Sequence, residues 1–152
     1  MTVSTNVSKF LLDRQALLTP RFESGDVDKI LEFYDPDLSF SDHAWHATNL
    51  NYTEFEQFLK STYDTSTSLR METHGVHGAS KDFSAWEWTL HVIAGEDDPI
   101  RGLVKGKEIV LRGCSLHWWK LKDGGDDGNL LDWRIVKEAD YACGGENEKT
   151  GH

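Results

Sequence analysis

Leu38-Ser39-Phe40-Ser41-Asp42-His43 follows Tyr34-Asp35-Pro36-Asp37 and reads as one extended strand. Alternate side chains of a strand share a face, so Leu38, Phe40 and Asp42 point one way and Ser39, Ser41 and His43 the other. A carboxylate closing an apolar row is costly to bury unless it is paired or used. Two readings are open. Asp42 ends the strand at the surface, or it faces the interior, where desolvation raises its pKa and makes it a better proton acceptor near neutral pH.

Upstream, Phe10, Leu11, Leu17, Leu18 and Phe22 recur at helical spacing over residues 7–24. Thr19-Pro20 interrupts that run, because proline is poorly tolerated inside a helix; the expectation is two short helices or one kinked helix. Gly25 is the stop, and Asp26 is the N-cap of a second helix carrying Val27, Ile30, Leu31 and Tyr34. Downstream, residues 43–52 have no period and read as a loop. Thr53-Glu54-Phe55-Glu56 then has the capping-box pattern, with Phe55, Phe58, Leu59 and Thr62 on one helical face and an end near Tyr63.

From Ser68 the period becomes two. Strands are expected at 69–79, 83–94, 108–122 and 130–141, separated by turn-rich Gly78–Asp82, Gly95–Pro99 and Asp123–Asn129. Hairpin-length links imply an antiparallel, strongly curved sheet. Helices followed by such a meander make an α+β domain, three N-terminal helices on one face of a curved antiparallel or mixed sheet with a conical cavity between them.

The 152 residues, 38% of them hydrophobic and including six Trp and seven Phe, suit one domain over 1–143, with a polar tail at 144–152. A net charge of −10 without any Lys/Arg cluster argues against nucleic acid. The first residues lack the apolar segment of a signal peptide, and no stretch approaches the roughly 18 apolar residues of a membrane span. Cys114 and Cys143 make no disulfide framework. A soluble, cytoplasmic protein with free thiols is expected.

Several pieces, in order, resemble the SnoaL-like branch of the ketosteroid-isomerase and nuclear-transport-factor-like superfamily. They are Ser24-Gly25-Asp26-Val27, Phe33-Tyr34-Asp35-Pro36-Asp37 leading to Phe40-Ser41-Asp42, and Glu87-Trp88-Thr89-Leu90. Lys105 to Gly113 and the closing Glu138-Ala139-Asp140-Tyr141 complete the match, which spans about Phe10 to Tyr141. The Arg112–Lys120 stretch looks most like fungal members that serve natural-product pathways. The resemblance implies the cystatin-like α+β barrel and a general base at Asp42, where ketosteroid isomerases carry theirs. It also implies an acid/base at Asp140, where SnoaL-type cyclases carry theirs. The isomerase oxyanion-hole Tyr is replaced near Leu18 and its protonated Asp by Ser115, so the electrophilic partner differs. Leu69-Arg70 with His74, and Ser115 to Lys120, are similar to scytalone dehydratase, which eliminates water on the same fold using His side chains.

Gly113, Ser115, His117 and Trp119 share one strand face; if Ser115 holds the isomerase acid's place, that face meets the cavity. His117 is then an acid or donor candidate, or a satisfied core histidine. Trp86, Trp88 and Leu90 alternate with Glu87, Thr89 and His91, and either set could line the cavity. Asp140 falls on the polar register of the last strand, either cavity-facing or solvated. The catalytic candidates are Asp42, Asp140, His117, His74 and Glu87. The substrate-binding candidates are Tyr34, Trp45, His46, Phe58, Tyr63, Trp88, Ser115 and Trp119. His43/His46 and His74/His77 have three-residue spacing, which on a strand sets the rings on opposite faces, so no metal is expected.

The expected function is a cofactor-free isomerase or cyclase acting on a hydrophobic, oxygenated natural product such as a polyketide or terpenoid, in a homodimer joined through the convex sheet face. The alternatives are a scytalone-dehydratase-like dehydratase and a non-catalytic binding module of the same fold.

Overall fold

The computed structural model describes residues 5–144. Helix α1 (Thr5–Ser24) runs without a break through Pro20. Its inward row, Leu11, Arg14, Gln15, Leu18 and the half-buried Phe22, packs on both sides of the proline, which is itself exposed. Burial of that row outweighs the backbone hydrogen bond that proline removes. Helix α2 (Val27–Leu31) is capped by Asp26, whose side chain accepts from the Lys29 N–H. Tyr34 lies outside this helix and begins strand β1 (Tyr34–Asp42).

Residues read as loop contain a short strand, β2 (Ala47–Leu50), paired antiparallel to β1. Helix α3 (Tyr52–Asp64) has its cap two residues before the expected Thr53: Asn51 caps Glu54 N–H while the Glu54 carboxylate accepts from Asn51 N–H. The long strands β3 (Ser66–Ser80), β4 (Phe83–Ala94) and β5 (Glu108–Leu121) follow, then a 3₁₀ turn (Leu130–Asp132) and β6 (Trp133–Gly144). Of the tail expected at 144–152, Gly144 ends β6 and residues 145–152 lie outside the described residues. No described helix is long and apolar enough to cross a membrane.

The six strands form one sheet, ordered β2-β1-β6-β5-β4-β3. It is mixed, because β1 pairs parallel with β6 while the other neighbours are antiparallel. The three helices cover one face, the α+β architecture expected. Its core is aromatic: Tyr34 and Phe40 meet Phe55 at ring separations of 4.6 and 4.4 Å.

Two local features set the inner face. Register between β5 and β6 slips by one residue, Trp118 facing Lys137 but Trp119 facing Ile135, so Val136 is extra. Trp133 and Ile135 point inward before the bulge, and Glu138 and Asp140 after it. The second feature is Gly113. A Cβ there would lie 2.5 Å from both the Trp88 ring and Tyr141 O, so only glycine lets the Trp88 indole lie across β5.

Candidate active site

Strand pairing brings distant residues to two neighbouring rungs of the sheet. On one, Asp42 pairs with Asp140, Asp140 with Ser115, and Ser115 with Trp86. On the next, Phe40 pairs with Glu138, Glu138 with His117, and His117 with Ser84. Rungs two residues apart share a face, so these side chains converge.

Above the first rung lies a cavity of about 120 Å³. That is about tenfold the roughly 10–15 Å³ a single water needs. Phe22, Phe55, Phe58, Leu59 and Tyr63 form its helical side, Trp86 and Trp88 its sheet side, and Ala44 and Trp45 part of its rim. The polar wall on the sheet side is Asp42, Glu138, Asp140 and Ser115, with Thr62 on the helical side, and among the described residues no Lys, Arg or His lines the cavity.

Each carboxyl is held differently. Asp42 Oδ1 accepts from the Ala44 and Trp45 backbone N–H groups at 3.0 and 3.2 Å. Burial raises its pKa, and those two donors oppose the rise. Glu138 is 4% exposed; Tyr34 Oη donates to its Oε1 at 2.7 Å, and His117 Nε2 lies 3.0 Å from the same oxygen. Burial pushes Glu138 up to about 7. Asp140 is raised well above the carboxylate range by burial first and by the Glu138 charge second. Ser115, fixed by a 2.9 Å hydrogen bond from Trp88 Nε1, is its neutral hydrogen-bonding neighbour. Asp140 Oδ1 is buried and has no hydrogen-bond partner among the described residues. A buried acceptor left unmet is costly, and it marks the position where a ligand group would be received.

His117 is fully buried, and burial holds it down at about 4, so the ring is neutral at physiological pH. It sits behind Glu138 and does not line the cavity. Beyond it Trp119 packs edge-on, and the Arg14 guanidinium stacks on Trp119 at 3.7 Å.

The structure brings together Asp42, Asp140, Trp45, Phe58, Tyr63, Trp88 and Ser115. Tyr34 and His117 back the wall through Glu138. The other candidates stand elsewhere. His74 is on the outer sheet face, bonded to Thr89 Oγ1 at 2.6 Å, because it alternates with the inward row Leu69, Met71 and Thr73. Glu87 alternates with Trp86 and Trp88 and so points outward, 2.6 Å from His77 Nε2. His46 is exposed at φ 58° in the turn after β1. Trp119 is buried one rung beyond the cavity, donating to Ser84 Oγ at 2.9 Å.

Glu138 is the site residue that sequence reading misses. Strict alternation from Trp133 and Ile135 sends position 138 outward, and only the Val136 bulge returns it. The available signal is Glu138-Ala139-Asp140, two acids at strand spacing in a segment that also carries Trp133 and Ile135. Among the described residues, no group of three or more His, Cys, Asp or Glu is arranged to hold a metal ion.

Helices laid on a mixed sheet around an acid-walled cavity make a fold that ketosteroid isomerase-like proteins share. The fold of the ketosteroid isomerase-like protein of Erwinia carotovora atroseptica superposes with a TM-score of 0.64 at 11% identity, over 89% of this chain and 95% of that one. IdmH of Streptomyces antibioticus, a candidate polyketide cyclase, gives 0.64 at 14% identity over 90% and 92%. Residues 15–125 match the SnoaL-like domain family, and the chain belongs to it. The cyclase aurE of Calcarisporium arbuscula is 29% identical over 97 residues, 64% of this chain and 67% of that protein. Family and relative together point to a cyclase or isomerase.

Proposed function

We propose that this protein catalyses an intramolecular cyclisation or isomerisation of a neutral, oxygenated, apolar polyketide by proton transfer between two carboxyls. The observation that carries this reading is the pairing of Asp42 with Asp140 on adjacent strands, both at the wall of an otherwise aromatic cavity. Asp42, ionised, takes a proton from a carbon activated by a neighbouring carbonyl. The electron pair of that C–H bond then forms the new C–C bond at a second carbonyl, or moves to a new position in an isomerisation. Asp140, protonated, delivers its proton to the oxygen that gains charge. The apolar walls keep water from the enolate and strengthen both interactions. A cavity with three carboxyls and, among the described residues, no cation in its lining favours a ketone, ester or thioester over a free carboxylate at the reacting end. The dehydratase reading loses support, because His74 stands outside the cavity and His117 behind Glu138.

The test needs no knowledge of the product. Exchange of α-protons for deuterium is followed by NMR on aryl 1,3-diketone probes. Wild-type protein should accelerate exchange and Asp42→Asn should not. Equal rates for the two would overturn the assignment.

The reading includes a homodimer formed through the outer sheet face, where the half-exposed Tyr141 stacks on His43 and Trp118 packs against Phe83. Sedimentation as a monomer at micromolar concentration would remove that part.

A further inference from the structure

We infer that Glu138, held at Oε1 by the Tyr34 hydroxyl, is a positioning residue that keeps the proton on Asp140, the middle carboxyl of three, so that Asp140 meets the substrate as an acid. The inference rests on the Asp42–Asp140 reading and adds to it a residue that does not itself transfer the substrate's protons.

The argument is geometric. Two carboxyls side by side in apolar surroundings cannot both be ionised, and the proton goes to the one whose charged form is less well supported. Glu138 has the Tyr34 hydroxyl donating to Oε1 at 2.7 Å, with Asp140 beside it on the strand and the charge of Asp42 also reaching it; His117 Nε2 lies 3.0 Å from the same oxygen without a hydrogen bond. Asp140 has Asp42 across the rung on one side and Glu138 on the other, with only Ser115 to offset them. The anion therefore settles on Glu138 and the proton on Asp140.

The surrounding groups fit this partition. Burial keeps His117 neutral against the pull of Asp140, and Arg14 of α1, behind it, adds to that effect. His43 and Arg101 favour the ionised form of Asp42. Tyr63 of α3 bears on Tyr34, and Cys114 on the outer face of β5 feels Asp140. None of these supplies Asp140 with a cationic partner.

The partition also accounts for the return of the proton. When the Asp140 O–H bond breaks and its proton passes to the substrate oxygen, Asp140 becomes a second anion beside Glu138. Asp42 has just gained the carbon's proton. Repulsion from Glu138 makes Asp140 the stronger base of the two, so the proton passes from Asp42 to Asp140 and both begin the next cycle as they started.

The experiment titrates the aspartate carboxyls by ¹³C NMR without substrate, with Asp140 assigned by its loss in Asp140→Asn. In Glu138→Gln, which keeps an acceptor for Tyr34 and removes the charge, the Asp140 midpoint should fall by at least about one pH unit. In Tyr34→Phe it should fall less, because Glu138 then competes better for the shared proton. The alkaline limb of the α-proton exchange profile should move down with it. An Asp140 midpoint unchanged in both variants, or an exchange rate lowered equally at every pH, would overturn the inference. If Glu138→Gln does not fold, Tyr34→Phe decides. Full exchange activity in Asp140→Asn would sink the acid assignment instead, and the substrate-free titration still decides the role of Glu138.

Discussion

The two faces of the central strands carry the same kinds of side chain in opposite circumstances. On the outer face Glu72 takes a 2.7 Å hydrogen bond from Arg70, which holds its carboxyl below the usual range. Glu87 meets His77 at 2.6 Å, and His91 lies between Glu72 and Glu108 at 3.4 and 3.6 Å. Every one of these acids has a base beside it and water around it. On the inner face no Lys, Arg or His among the described residues lines the cavity beside Asp42, Glu138 and Asp140, and burial drives all three upward. Opposite charges at the surface cancel and do little. Carboxyls in an aromatic enclosure hold their protons to higher pH, and the proposed acid–base role stands on that difference.

The contrast breaks most directly at Asp42. Asn at that position still accepts from the Ala44 and Trp45 N–H groups and keeps the volume. Asp42→Asn should therefore lower turnover by about 10²–10⁴-fold, the typical value of a positioned base, with an unshifted melting temperature. Retained turnover would make the inner face as inert as the outer one.

Gly113→Ala comes next. The added methyl meets Trp88 and Tyr141 O at 2.5 Å, so overpacking should cost about 1–3 kcal/mol in chemical denaturation. Trp88 must move off Ser115, which a change in tryptophan fluorescence would report. A neutral substitution would mean that the close packing on β5 is not needed.

The faces should also differ in how stability depends on pH. Glu138 is raised from 4.5 to about 7, so the folded chain binds more protons than the unfolded one across that interval. Its contribution is fully present below about 4.5 and is lost as pH rises through about 7. Wild type should lose stability relative to Glu138→Gln over that window. His117, lowered from 6.5 to about 4, works in the other direction: its contribution is present above 6.5 and is lost as pH falls through 4. A pH-independent difference between wild type and Glu138→Gln would remove the electrostatic contrast.

The smallest effect is expected outside. Glu87→Gln removes an exposed partner of His77 and should change stability by less than about 0.5 kcal/mol, with turnover unchanged. A large loss of turnover would return Glu87 to the candidates.

What could be read from the sequence was whatever strand period carries locally. Strand β4 has its expected bounds, and the row Leu38, Phe40, Asp42 does face inward. On β5 the period groups Ser115, His117 and Trp119 on one face, while the direction of that face rested on the family resemblance at Ser115 and is fixed only by pairing with β4 and β6. Illegible features depended on partners distant in the chain. Asn51-Tyr52-Thr53-Glu54 and Thr53-Glu54-Phe55-Glu56 are both capping-box patterns, and packing chooses the first. Strand β2 has four residues and forms only because β1 offers it an edge. Tyr34 satisfies a helical period but is drawn into β1 by its pairing with Ile135. Arg14 sits among apolar helix positions and is 1% exposed, since stacking on Trp119 and donation to Lys81 O let a guanidinium take a core place. The bulge at Val136 mattered most, since it decides which way Glu138 and Asp140 look and leaves no mark in composition.

That bulge has a consequence for how the protein can change by inheritance. Substitutions act on the site one group at a time, whereas the facing of β6 depends on how many residues stand between Ile135 and Glu138. Loss of the single codon for Val136 would remove the residue without a partner, and Ile135, Lys137, Glu138 and Asp140 would then alternate as a regular strand with both acids still inward. Loss of a second codon there would turn both acids together toward solvent while every acid stays in the chain. The site thus tolerates one in-frame deletion on β6 and is undone by two.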